Sequence, residues 1–144
     1  MGKREDALSC FARGFSCAQS VLSAWSDELG LDREAALRVA GAFGGGIAGT
    51  GETCGAVTGG LMVIGLRYGM TDPQKPEAKQ RTRDVGRRFL ERFTSAFCTC
   101  KCRDLLGCDI ATQEGAEKAR TENLFKTLCP GFVGEAAEIL DPLL

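Results

Sequence analysis

The spacing of apolar residues in the first third of the chain predicts three helices. Between residues 16 and 29 apolar side chains recur every three or four positions, as on one face of a helix. Ser16 suits the N-cap and Gly30 the position after the last turn. A shorter helix is expected over Lys3–Ala12, and a third, capped by Asp32, should run through residue 43.

A glycine-rich helix is expected in the middle of the chain. It follows the loop at residues 44–51 and should run over residues 54–68 with Thr53 as its N-cap. Each interior glycine costs a helix roughly 1 kcal/mol relative to alanine. Such a helix is tolerated where neighbours must approach closely, so we expect it to be central and buried. Its glycines are Gly55, Gly59, Gly60 and Gly65.

The second half of the chain predicts the longest helix, over residues 77 to about 97, after a break at residues 72–76. One face of this helix is an apolar stripe and its other faces are basic. The basic faces indicate a solvated surface or, alternatively, a surface for an acidic partner. The apolar stripe consists of Ala78, Val85, Phe89, Phe93 and Phe97, and the basic residues are Lys79, Arg81, Arg83, Arg87, Arg88 and Arg92.

The remaining segments are a cysteine-dense turn at residues 98–108, a polar stretch at 109–123 with a helical turn or two, and a closing helix at 130–144 with Pro130 at its first position. No alternating strand pattern is present. The chain is therefore predicted to be all-α. We expect one domain over residues 1–144, a bundle of about five to six helices with a Gly-rich loop before a central helix.

Length and charge narrow the classes of function. The chain has 144 residues and a net charge of −1, which does not favour nucleic acid as a partner. The longest apolar run, residues 54–66, is too short to span a bilayer, so no membrane insertion is expected. The N-terminus is charged and lacks the apolar stretch of a signal peptide. We therefore expect a cytoplasmic protein, in which thiols stay reduced unless they are redox-active or bound to metal.

The chain has eight cysteines and no histidine. Without histidine there is no His general base, no Cys–His pair and no bis-His haem. Any chemistry must use thiols, carboxylates, hydroxyls, lysines or a cofactor that they hold, and thiolates are good nucleophiles and soft metal ligands. The cysteines are Cys10, Cys17, Cys54, Cys98, Cys100, Cys102, Cys108 and Cys129.

Three cysteines fall at predicted helix N-termini, namely Cys17, Cys54 and Cys129. The partial positive charge and free N–H groups of a helix N-terminus favour a thiolate over a thiol. The sequence therefore predicts a shared thiolate site. The plainer interpretation for any single cysteine is a small buried apolar residue.

The run of Cys98, Cys100 and Cys102, followed by Cys108, matches neither the usual zinc spacings nor those of ferredoxins. Its C-x-C pairs can chelate a soft metal or close a strained disulfide. The segment is thus capable of metal or redox chemistry, with low specificity.

The glycine-rich loop has no nucleotide-binding motif. It can bring backbone N–H groups near thiolates or a cluster sulfide, and a structural hinge is an equally good interpretation. Candidate backbone positions around Cys54 are Gly51, Thr53 and Gly55. Glu52 is the carboxylate placed to shuttle a proton, unless it is an ordinary loop residue facing solvent.

These motifs resemble the C-GCAxxG-C-C family of redox-active proteins over nearly the whole chain. The resemblance rests on the segments around Cys17, Cys54 and Cys102 and on Leu128-Cys129-Pro130. The family label spells Gly-Cys-Ala where this chain has Cys54-Gly55-Ala56, and we treat the two as the same motif. The resemblance implies that Cys17, Cys54, Cys102 and Cys129 are the family cysteines and that the other four are additions.

The resemblance also implies redox activity, because family members are described by their cysteines and some are recorded as selenoproteins. Some relatives carry c-type haem domains. This chain has no C-x-x-C-H motif, so no haem is expected.

Three functions remain open from the sequence. The first is thiol–disulfide exchange or electron transfer with an unknown redox partner, in which Cys54 attacks and Cys17 or Cys129 resolves. The second is an iron–sulfur cluster or, less readily, zinc. Its ligands would be Cys17, Cys54, Cys102 and Cys129, with Cys98, Cys100 and Cys108 as secondary candidates.

The third is a structural module with inert thiols that docks through the basic helix. A homodimer is a further possibility if the glycine-rich helix exposes an apolar face.

Overall fold

Helices make up 69% of the chain, and the computed structural model, which describes residues 2–144, contains no strand in that range. This confirms the all-α prediction. The α-helices are α1 (Lys3–Ala12), α2 (Cys17–Ser26), α3 (Arg33–Val39), α4 (Gly55–Tyr68), α5 (Glu77–Phe97), α6 (Cys102–Leu106), α7 (Gln113–Thr121), α8 (Leu124–Thr127) and α9 (Cys129–Leu140), with 3₁₀ turns at Gly41–Phe43 and Asp141–Leu143.

The prediction of five to six helices was too low. The additional helices are α6 in the predicted cysteine-dense turn, α7 in the polar stretch where a helical turn or two was expected, and α8 just after that stretch, where no element was predicted. Each is nine residues or shorter, so it presents at most two or three turns of periodicity. Isolated helices of this length are marginally stable in water. These short helices therefore form because packing against neighbouring segments stabilises them.

The longer helices lie close to their predicted bounds. The predicted cap of α2 is confirmed: the Gln19 N–H donates to Ser16 Oγ at 3.3 Å and the Ser16 N–H to Gln19 Oε1 at 3.0 Å. The cap of α3 is also confirmed, because Asp32 accepts from the Ala35 N–H at 3.1 Å. Both helices end earlier than expected, α2 at Ser26 and α3 at Val39, because tighter turns follow them.

The predicted N-cap of α4 was wrong by one residue. Thr53 lies in an antiparallel bridge with Lys101, so its backbone is committed to that pairing. The helix therefore starts at Gly55, and Cys54 occupies the N-cap with extended backbone angles (φ −55°, ψ 138°). This places the Cys54 side chain at the open end of the helix.

Helix α4 is central, as its glycines predicted. It packs against α2, α5 and α9. A Cβ atom on Gly59 would lie 2.8 Å from the Ala18 carbonyl oxygen, and one on Gly60 would lie 2.4 Å from the Phe89 ring. The glycines thus let α2 and α5 approach the α4 backbone more closely than any side chain would permit. The predicted homodimer stays a prediction.

The loop at residues 44–51 coils in the left-handed sense. Ile47 and Ala48 have φ of 65° and 53°, between glycines that also have positive φ. The N–H groups of residues 47–52 all donate to carbonyls of residues 42–47 within the same segment. Most of the loop's donors are therefore used internally, and the loop is a folded spacer between α3 and α4. Among helices formed by residues 2–144, none is long and apolar enough to cross a membrane.

Candidate functional site

Four cysteines from four separate helices line one small cavity. Cys17, Cys54, Cys102 and Cys129 surround a space of about 50 Å³. The structure thus brings together the four residues that the family resemblance singled out. The rest of the wall consists of aromatic and aliphatic side chains and three glycines: Phe11, Leu105, Leu106, Phe125, Phe132, Gly45, Gly46 and Gly55.

Each of these cysteines lies at a helix N-terminus. Cys17, Cys102 and Cys129 are the first residues of α2, α6 and α9, and Cys54 is the N-cap of α4. Positive helix ends therefore converge on the cavity from several directions. The sequence predicted this placement for three of the four but missed it for Cys102. Gly107, which ends α6 in the left-handed conformation at φ 73°, was the available signal.

A short backbone pairing fixes Cys54 beside Cys102. The Cys54 N–H donates to the Cys100 carbonyl at 2.7 Å, and the Cys102 N–H donates to the Glu52 carbonyl at 2.7 Å. A salt bridge between Glu52 and Arg103 reinforces the same contact. The two cysteines, 48 positions apart in sequence, are thereby held at one rim of the cavity.

Glycines at two positions allow the thiols to approach one another. A Cβ atom on Gly55 would lie 3.1 Å from Cys17 Cβ and 2.8 Å from the Ala18 nitrogen. A Cβ atom on Gly46, which has φ of 70°, would lie 2.5 Å from Cys102 Cβ. A larger residue at position 55 would push α2 away from α4, and one at position 46 would push α6 away from the glycine-rich loop.

The Cys54 and Cys17 thiols differ strongly in acidity. A hydrogen bond from Cys17 is the largest influence that lowers the pKa of Cys54, helped by the backbone N–H groups of Ala56 and Val57 and opposed by burial. The pKa of Cys17 is raised well above its usual value by its hydrogen bonds with Cys129 and Cys54, by burial and by the charges of the same two thiols. Cys54 is thus the favoured thiolate, and Cys17 is the proton donor between two neighbouring sulfurs.

Cys102 lies in the same cavity but remains protonated. Burial, together with the charges of Cys54, Cys129 and Cys108, raises its pKa to about 12. The positive end of a helix as short as α6 does not overcome these effects. Cys102 is therefore a thiol at neutral pH, in contrast to Cys54.

The other four cysteines lie outside the cavity wall. Cys10 is buried beside Ser23 Oγ at 3.5 Å and Arg33 Nη2 at 3.6 Å. Cys98 is exposed at the end of α5 with φ of 69°. Cys100 contacts Thr94 Oγ1 at 3.4 Å, and Cys108 is half-buried after α6.

The backbone positions proposed around Cys54 have different surroundings. The carbonyl of Gly51 accepts from the Arg103 N–H at 3.0 Å, and Thr53 lies in the bridge, whereas Gly55 lines the cavity. The N–H groups that help to lower the pKa of Cys54 belong to Ala56 and Val57, in the first turn of α4. Glu52 pairs with Arg103, so its carboxylate is oriented by the guanidinium.

The described residues do not form a ready-made metal site. Within residues 2–144, no group of three or more cysteine and carboxylate side chains has an arrangement suited to a metal ion. Thiolate ligands for zinc or iron would have to be deprotonated together, a step that binding of the cation itself promotes. The described residues therefore form no preformed metal centre.

Comparison with known proteins assigns the chain to a family. No curated protein and no solved structure matches the chain. The family model described as "Putative redox-active protein (C_GCAxxG_C_C)" matches residues 15–143. Since this match covers all but the first helix and the ends of the chain, the protein belongs to the C_GCAxxG_C_C family.

Proposed function

We propose that the protein carries out thiol–disulfide exchange at the four-cysteine cavity. The observation that supports this most strongly is the meeting of four cysteines in the wall of one small cavity. Within it the pKa of Cys54 is lowered, whereas the pKa of Cys17 is raised. A low-pKa thiolate beside further thiols is the arrangement that disulfide exchange requires.

In the proposed reaction the Cys54 thiolate attacks one sulfur of a substrate disulfide. The substrate S–S bond breaks, a mixed disulfide forms, and the departing substrate thiolate takes up a proton. The thiol of Cys17 or Cys129 then loses its proton and attacks Cys54 Sγ. An intramolecular disulfide forms and the second substrate thiolate leaves and takes up that proton. The substrate gains two electrons and the protein dithiol loses two.

Substrate would reach the cavity past Phe11 and Phe125. Both residues line the cavity and also an adjoining surface groove of about 530 Å³, and Phe125 is 40% exposed. The groove is otherwise mostly apolar, with Leu8, Phe15 and Pro130 in its wall. A disulfide flanked by apolar groups fits this approach better than a highly charged one.

Metal content and free thiols, measured on the same anaerobically purified sample, test the proposal. We expect a colourless protein with eight free thiols after reduction that loses two of them on exposure to oxidised glutathione. Replacing Cys54 with Ser should abolish that loss. Stoichiometric iron with a visible charge-transfer band, or stoichiometric zinc, would contradict the proposal and favour the four-thiolate metal site.

A further inference from the structure

The segment opposite Cys54 carries another thiol, that of Cys100. In the antiparallel bridge between Thr53 and Lys101, Cys100 lies directly across from Cys54, and the Cys54 N–H donates to the Cys100 carbonyl at 2.7 Å. Residues directly opposite in such a pairing have Cα atoms about 4.5 to 5.5 Å apart, and their side chains project to the same face. Disulfides span Cα separations of about 4.4 to 6.8 Å. Backbone position therefore permits a bond between these two cysteines.

Cys100 is less buried than three of the four cavity thiols. It is half-buried, as Cys17 is, whereas Cys54, Cys102 and Cys129 are 4%, 8% and 6% exposed. One side of Cys100 packs against the core that contains Cys54, and its sulfur contacts the hydroxyl of Thr94, an exposed residue of α5. The side chain thus lies at the boundary between the cavity wall and the protein surface.

We propose that Cys100 is a further exchange thiol, which carries the disulfide from the buried cavity to the protein surface by forming a Cys54–Cys100 bond. This proposal rests on the thiol–disulfide exchange proposed above. Cys100 is not one of the four cysteines that line the cavity, and the bridge geometry alone brings it to Cys54.

The transfer step is redox-neutral within the protein. Starting from a Cys17–Cys54 disulfide, Cys100 loses its proton and its thiolate attacks Cys54 Sγ. The Cys17–Cys54 bond breaks, the Cys54–Cys100 bond forms, and Cys17 leaves as a thiolate and takes up a proton. A glutathione thiolate then attacks Cys100 Sγ: the Cys54–Cys100 bond breaks, a Cys100–glutathione mixed disulfide forms, and Cys54 leaves as a thiolate. A second glutathione thiolate attacks the glutathione sulfur of this mixed disulfide, so that oxidised glutathione leaves and Cys100 takes up a proton.

Peptide mapping of the oxidised protein tests the proposal. Trypsin cuts after Lys101, so the peptide 93–101 carries Cys98 and Cys100 without Cys102, and the peptide 39–67 carries Cys54 alone. Cys98→Ser, which removes the neighbouring exposed thiol, is the matched control. After oxidation by oxidised glutathione and acid quenching, we expect these two peptides to be linked in wild type and in Cys98→Ser. We expect no such link in Cys98→Ser/Cys100→Ser.

The rate of re-reduction provides the second readout. With reduced glutathione as the reductant, Cys100→Ser should slow recovery of the Cys54 thiol by about tenfold, and Cys98→Ser should leave it unchanged. A wild-type protein that links Cys54 only to Cys17 or Cys129, and a Cys100→Ser variant re-reduced at the wild-type rate, would overturn the role of Cys100 but leave the proposed function standing. A protein in which Cys54 forms no disulfide at all would overturn both.

Discussion

The chemistry of the site depends on the difference between neighbouring sulfur atoms. Cys54 and Cys17 share a cavity and a hydrogen bond, but the pKa of Cys54 is lowered while that of Cys17 is raised. The cause is directional: Cys54 accepts hydrogen bonds from Cys17 and from the N–H groups at the start of α4. Opposed pKa shifts in a pair of titratable groups are a common feature of functional sites.

Removing the Cys17 thiol should raise the pKa of Cys54, because its hydrogen bond is the largest influence lowering that pKa. We expect the midpoint of the pH dependence of Cys54 alkylation by iodoacetamide to move upward in Cys17→Ala, towards the ordinary thiol value of about 8.5. Cys17→Ser, whose hydroxyl still donates, is the control and should stay near wild type. Equal midpoints in Cys17→Ala and wild type would contradict this explanation.

Cys102 should make the fold less stable in alkaline solution. Its pKa is about 12 in the folded protein, so between the ordinary thiol pKa and that value the unfolded chain releases a proton that the folded chain retains. The free energy of unfolding therefore falls as pH rises, by about 1 to 2 kcal/mol at pH 10 from this residue. Urea unfolding at pH 8 and pH 10 in reducing buffer measures the effect.

The control for this measurement is Cys102→Ala, which has no ionisable group at that position. Between pH 8 and pH 10 the free energy of unfolding of this variant should fall by about 1 to 2 kcal/mol less than that of wild type. Identical losses in variant and wild type would show that Cys102 titrates normally.

Among the elements, α4 determines how closely the thiols approach. Ala18 of α2 lies against Gly55 and Gly59 of α4, with no room for a Cβ atom at either glycine. These two positions belong to the motif segment around Cys54, so the same glycines that weaken the helix also bring Cys17 to Cys54.

Substituting alanine at Gly55 or Gly59 should therefore destabilise the protein by about 1 to 3 kcal/mol, because α2 must shift. Gly65→Ala is the matched control, since nothing lies within 4 Å of its Cβ position. That change should be neutral or stabilising by up to about 1 kcal/mol. Chemical denaturation of the three variants measures their free energies of unfolding. A Gly59→Ala variant as stable as Gly65→Ala would contradict the close packing of α2 against α4.

The longer helices were predictable because each has either a clear apolar period or a strong cap. Ser16 and Asp32 marked the starts of α2 and α3, and the phenylalanine stripe defined α5. Helix α6 was not predictable in the same way, because its five residues cannot show a period. The start of α4 was displaced by the bridge between Thr53 and Lys101, a contact between distant segments that local sequence does not encode.

At the scale of the whole molecule, the site exists only because distant segments meet. The cavity combines the starts of α2, α4, α6 and α9, and its cysteines lie between positions 17 and 129 of the chain. The position of three cysteines at predicted helix N-termini indicated thiolates. The family resemblance indicated which four cysteines belong to one site. Which sulfur lies between which others depends on the packing of α2 against α4 and α9, which no local pattern reveals.

A redox titration with thiol counting tests the central claim most directly. The protein is equilibrated in buffers with graded ratios of reduced to oxidised dithiothreitol, quenched, alkylated and weighed by mass spectrometry. We predict one transition in which two thiols disappear together, with Cys54 in the disulfide. The transition should be absent in Cys54→Ser and unchanged in Cys10→Ser, whose sulfur lies outside the cavity. A protein whose cysteines all stay reduced across the range, or a two-thiol transition that persists in Cys54→Ser, would contradict the claim that this cavity is a redox site.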